Sequence, residues 1–161
     1  MRPELDHQCV VKASAQFWEQ MLAMQLHHAE DRDICLGEQH AAGSVSLSGV
    51  WSGRIEVRMA RALAIQATAA MLMQPIESVT ETDTLDATKE ITNMLGGVIK
   101  SSLPRPCSMT VPEAHIESGS FCHETERGDL LIVAFRHEAG DMLVRVWETA
   151  PESTAPQVPA A

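Results

Sequence analysis

Hydrophobic positions recur along the chain with two different periods, and each change of period marks an element. In "ASAQFWEQMLAMQLHH", residues 13–28, Phe17, Met21, Met24 and His28 fall at i, i+4, i+7 and i+11. That spacing predicts an amphipathic helix, ended by the charged run "AEDRD". The period then drops to two. Val45 and Leu47 alternate with Ser44, Ser46 and Ser48, and Ile55, Val57 and Met59 alternate with Glu56 and Arg58. With the glycine-bounded "GVWSG" between them, these read as a β-hairpin with one buried and one wet face.

"ARALAIQATAAMLMQP" is rich in helix formers and is stopped by Pro75. "IESVTETD" leads into a second long helix over 82–100, with Thr82 or Asp83 as its N-cap and Asp86 in or near its first turn. "CSMTVPEAHIES" is a weak strand that Pro112 confines to an edge or a bulge. "DLLIVAFRH" and "DMLVRVWET" flank "EAG" as a second hairpin. Residues 1–12 are expected to form a loose leader and 150–161, rich in Pro and Ala, a disordered tail. The folded domain is then 13–149. Its order predicts an α+β fold, with helices packed on one face of a mostly antiparallel sheet.

Composition narrows the function. With 161 residues and 45% hydrophobic content, one core of ordinary size forms without staples. Aromatic residues make up 4% and tyrosine is absent, so the nine methionines help to fill that core. A formal charge of −10 argues against nucleic acid and against an anionic membrane surface. No apolar run reaches the length of a membrane span, and "MRPELDHQCV" has no signal-like apolar core, so a cytoplasmic location is expected. Cys9, Cys35, Cys107 and Cys122 are scattered without a C-x-x-C pair, which favours free thiols.

Candidate chemistry lies on the helix over 82–100. Projected at 100° per residue, Ala87, Ile91, Met94, Leu95 and Val98 form the expected core stripe. Asp86, Glu90, Asn93 and Gly97 fall within roughly 60° of one another on the other side, with Lys100 at the margin. Glu90 and Asn93 are i and i+3, so their side chains are neighbours. A solvated face of this composition is common. Asn is nevertheless a poor residue for a solvated helix interior, and each glycine costs the helix roughly 1 kcal/mol relative to alanine. Gly96 and Gly97 have no capping role, because "VIKSS" continues the pattern. A close helix crossing within the fold explains Gly96 better than Gly97.

E-x-x-N-x-x-x-G, standing here as Glu90, Asn93 and Gly97, resembles the signature helix of the chemotaxis phosphatases CheC, CheX and FliY, and Asp86 matches the acidic position four residues earlier. "GSVSLSGVWSGRIEVRMARALAIQATAAMLM" looks like that family's first hairpin and helix. CheC and FliY carry two such helices, and the single one visible here makes the chain look like CheX. One departure is Pro112, which lies closer to the Asn than the family's downstream proline and implies a shorter loop.

The resemblance implies hydrolysis of the phospho-aspartate on a CheY-like receiver domain, with Glu90 and Asn93 catalytic and Asp86, Gly97 and Lys100 in contact with the receiver. It implies no cofactor or metal of the chain's own, Mg²⁺ being supplied by the receiver, and a homodimer joined through sheet edges. A non-catalytic module that docks on a receiver, or on another signalling protein, is the alternative.

Other constellations carry less. His27 and His28, placed at the end of the first helix, point in different directions. "HETER" and "HEAGD" lack the second histidine of H-E-x-x-H, and Cys122 and His123 are chain neighbours whose side chains diverge. Trp51 is either a loop residue packing inward or an exposed contact.

Overall fold

The computed structural model describes residues 5–29, 34, 36–119 and 129–150. Helix α1 (His7–Leu22) begins earlier than the periodicity indicated, because the Asp6 carboxylate accepts from the Gln8 and Cys9 amides at 3.0 and 3.3 Å. Residues 7–12 are therefore helix rather than leader. The buried face of the helix is Val10, Ser14, Trp18 and Leu22; of the expected Phe17–Met21–Met24–His28 stripe, Met24 is buried in the core just past the helix end, Phe17 packs against the core and Met21 is exposed. Trp18 is larger than any of these and wins the inward position, leaving Met21 exposed. Ala23 takes a left-handed conformation and ends the helix six residues before the expected stop. His28 thus lies in strand β1 (His27–Ala29), with its ring against His7 and Phe135.

The first hairpin is β2 (Gln39–Gly49) and β3 (Gly53–Ala60), in the register Val45↔Ile55 and Gly43↔Val57. Trp51 packs inward at 4% exposure, over the bare Cα of Gly53, where a Cβ would lie 1.9 Å from the indole ring. Helix α2 (Arg61–Leu72) follows, then α3 (Glu81–Ser101). The cap of α3 is Thr80 rather than Thr82 or Asp83. Thr80 and Asp83 form a reciprocal capping box, with Asp83 N–H donating to the Thr80 hydroxyl at 3.1 Å and Thr80 N–H to the Asp83 carboxylate at 3.0 Å. Asp86 consequently sits beyond the first turn.

The weak strand divides around Pro112 into β4 (Cys107–Met109) and β5 (Glu113–Ser118), which pair with opposite ends of β2. The second hairpin is β6 (Asp129–Arg136) and β7 (Met142–Glu148). All pairings are antiparallel, in the order β1-β6-β7-β3-β2-β4, with β5 also on β2. The α+β expectation holds, with the helices against the inner face.

Two features of the sheet depart from simple alternation. Strands β6 and β7 are buried on both faces, since Leu143 and Ala134 pack with Ala29, Ile34 and Leu36 opposite the main core. That accounts for their continuous apolar runs. On the outer face of β2, β3 and β5 a charged network replaces open water. Arg58 pairs with both Glu56 and Glu117, His40 lies 3.0 Å from Glu117, and His115 lies 2.6 Å from it. Burial opposes ionisation of Glu117, but hydrogen bonds from Arg58 and His115 outweigh it and hold the carboxyl at about 2. Burial is the larger influence on His40 and pushes its pKa below the usual 6.5, against the hydrogen bond to Glu117.

Of the candidate tail, 150–161, all but Ala150 lies outside the described residues, as do Cys35, Cys122 and the "HETER" segment. Cys9 and Cys107 are free thiols.

Candidate functional site

The site begins with the way α3 is pressed onto β2. Its buried residues are Thr84, Ala87, Thr88, Ile91, Thr92, Leu95, Gly96 and Ile99. The core face is therefore rotated by roughly 65° from the expected one. Met94 is half-buried and Val98 is 37% exposed, so neither belongs to the centre of that face. The threonines explain the shift. Thr84, Thr88 and Thr92 return their hydroxyls to the carbonyls four residues back, at 3.1, 2.7 and 2.7 Å. Each hydroxyl is satisfied within the helix, so the methyl side packs as if apolar. Glycines then bring the two elements together. A Cβ on Gly43 of β2 would lie 2.0 Å from the Thr92 hydroxyl, and one on Gly96 would lie 3.0 Å from the Met109 sulfur.

Rotating the core face centres the polar stripe on the opposite side. Asp86, Glu90 and Gly97 are exposed, and Asn93 and Lys100 are half-buried. Their order along the axis is the one projected from the sequence. A Cβ built on Gly97 would meet nothing within 4 Å. The ridge therefore carries an acid and an amide side by side, with a bare backbone one turn beyond the amide. A carboxamide offers a donor and an acceptor in a fixed fork, and the carboxylate offers acceptors only. Together they can hold a water and a cationic group, and they stand on a rigid helix rather than a loop. Among the described residues no three of His, Cys, Asp or Glu converge as a metal ion would require.

Sequence reading overlooked the ground beside this ridge. Between the last turn of α3 and the 105–109 segment lies a cleft of about 760 Å³, shared with the ridge at Gly97 and Lys100 and walled by Arg105, Pro106, Cys107 and Met109. The only hint was "PRP", an arginine between two turn-forming residues just after a helix end.

The fold and this helix together define the CheC-like class of chemotaxis proteins. Chemotaxis protein CheX from Vibrio vulnificus superposes with a TM-score of 0.68 at 17% identity, over 87% of this chain and 93% of that one. A CheC-like superfamily protein from Shewanella sp. PV-4 gives 0.72 at 19% identity, over 93% and 100%. CheX from Borrelia burgdorferi, solved as a CheX–CheY–BeF3–Mg²⁺ complex, gives 0.64 at 15% identity, over 91% and 99%. No curated protein matches the sequence. The family model of the chemotaxis phosphatase CheX matches residues 41–136, more than half of the chain, and the chain belongs to that family. No helix among the described residues is long and apolar enough to cross a membrane.

Proposed function

We propose that the chain hydrolyses the phospho-aspartate of a CheY-like receiver domain. The observation that carries this reading is the open ridge on α3, where Glu90 is exposed, Asn93 stands beside it, and no described residue comes within 4 Å of a Cβ built on Gly97. Family membership supports the activity, and a relative of the same fold has been solved together with CheY.

An acyl phosphate is already activated, and the receiver brings Mg²⁺ and a lysine to neutralise the transferring group. What is left to the phosphatase is to place a water in line with the P–O bond that breaks, and positioning is most of what phosphoryl transfer asks of a protein. Asn93 holds that water through its carboxamide. Glu90 pairs with the receiver's lysine and pins the ridge over the phosphorylated aspartate, while Asp86 and Lys100 contact the rim. Gly97 lets the receiver backbone approach closely. A homodimer joined along sheet edges belongs to the same reading, and the sheet ends in β1 on one side and in β4 and β5, both laid along β2, on the other.

The test is phosphate release from a phosphorylated receiver with trace amounts of the protein. Asn93→Ala abolishes the acceleration and retains binding, whereas Glu90→Ala weakens both. An Asn93→Ala protein as fast as the unaltered chain would remove the catalytic assignment. Stoichiometric binding with no acceleration by the unaltered chain would instead make it a docking module.

A further inference from the structure

We infer that the cleft beside the ridge is the second half of the receiver's footprint, and that it takes an acidic segment bordering the phosphorylated aspartate, with Arg105 as its chief charge. The inference rests on the functional reading above and answers a difficulty within it. The chain carries a formal charge of −10, and the Mg²⁺ that the functional reading has the receiver supply is a hard cation that carboxylates hold. Long-range repulsion therefore works against the encounter, and local complementarity must supply what steering does not.

The ridge contributes little positive charge, since Asp86 and Glu90 are both acidic. The cleft is different. It opens directly from Gly97, and its two charged wall residues, Lys100 and Arg105, are both cationic. Neither forms an ion pair with another described residue, while the cationic Arg58 is committed to Glu56 and Glu117. Lys100 lies in the last turn of α3, where it offsets the negative end of the helix. Arg105 stands outside the helix, exposed, with its charge undiminished by that effect. Pro106, Cys107 and Met109 give the cleft an apolar floor against which the segment's backbone can lie.

The cleft is also fixed in place. Val50 N–H donates to the Pro106 carbonyl at 3.1 Å, and β4 is laddered to β2 through Gly49↔Cys107 and Leu47↔Met109. At Gly49 a Cβ would fall 2.2 Å from the Pro106 oxygen, so the wall sits directly on the sheet. A wall anchored this way at Pro106, Cys107 and Met109 keeps the backbone that carries Arg105 beside the last turn of α3.

The experiment is titration of a CheY-class receiver, in its BeF3⁻–Mg²⁺ form, with the full chain and with Arg105→Gln and Arg105→Glu. Melting curves confirm that both variants fold. Arg105→Glu is expected to raise Kd about tenfold and Arg105→Gln about threefold, and both flatten the salt dependence of binding. An Arg105→Glu protein that binds within about twofold of the unaltered chain, with the same salt dependence, overturns the inference. If Asn93→Ala loses turnover in the same preparation, the functional reading survives that result. If Asn93→Ala turns over normally, the functional reading fails, and the cleft inference falls with it.

Discussion

A methyl group added to Gly96 would lie 3.0 Å from the Met109 sulfur and 3.1 Å from a Val45 methyl, whereas one added to Gly97, the next residue, would meet nothing within 4 Å. About 100° apart around α3, the two glycines fall on different sides, Gly96 at the margin of the buried face and Gly97 on the open one. One face is packed so tightly onto β2 that Gly43 is needed for the approach and Gly96 is in close contact, and its three buried threonines close their hydrogen bonds within the helix. The other face gives up helical stability at Gly97 without any packing reason among the described residues. A residue that weakens the free molecule and relieves no clash is explained by what the molecule meets. The buried face specifies the fold, and the open face specifies a partner.

Four substitutions or conditions sharpen that division. The largest effect is expected at Asn93. Asn93→Ala lowers receiver dephosphorylation by about 100-fold or more while leaving the melting temperature unchanged, because only the water-positioning fork is lost. Equal losses of activity and stability would return Asn93 to the fold.

On the buried face the prediction is reversed. Gly43→Ala pushes Thr92 off its rotamer and costs about 2–3 kcal/mol in urea unfolding, with the folded fraction still active. A neutral result would mean that α3 can move away from β2 freely.

The outer face of the sheet should respond to acid and not to the receiver. Glu117, at about 2 in the folded chain against 4.5 unfolded, contributes stability that is complete above pH 4.5 and lost as pH falls toward 2. With the side chain about a third exposed, that contribution is on the order of 1 kcal/mol after solvent screening. Burial lowers the pKa of His40, so the folded state also binds fewer protons there as pH drops below 6.5, and the loss has the same sign. Thermal melts from pH 7 to pH 3 should therefore fall monotonically, and Glu117→Gln should flatten the acid end. An unchanged acid limb in Glu117→Gln would assign the loss to other groups.

The smallest effect in energy is the most discriminating. Gly97→Ala raises stability by roughly 0.5–1 kcal/mol, as an open helical position allows, and weakens receiver binding. A variant that is both more stable and an equally good binder would leave Gly97 without a role.

The sequence reading went furthest where a local rule decides the outcome. Strict alternation placed both strands of the first hairpin, because a one-residue slip would turn every side chain to the wrong face. The edge position of the segment around Pro112 and the long helix with Glu90 and Asn93 on one stripe were legible for the same reason: backbone sterics and the 3.6-residue repeat need no knowledge of neighbours. Misreadings came where side chains compete for one space. Phe17 and Met21 scored as core by spacing, but Trp18 took the interior. Thr84, Thr88 and Thr92 lay outside the expected core stripe, yet with their hydroxyls satisfied locally they line the buried face of α3.

The motif, its spacing and the element that carries it were thus written in the order of residues, since helical geometry converts i, i+3 and i+7 into adjacency whatever surrounds them. Which side of that helix faces water, and the cleft that Arg105 shares with it, depended on contacts between segments far apart in the chain. Close packing between α3, β2 and β4 settled those, because the depth of one helix on one sheet is set by every side chain between them at once.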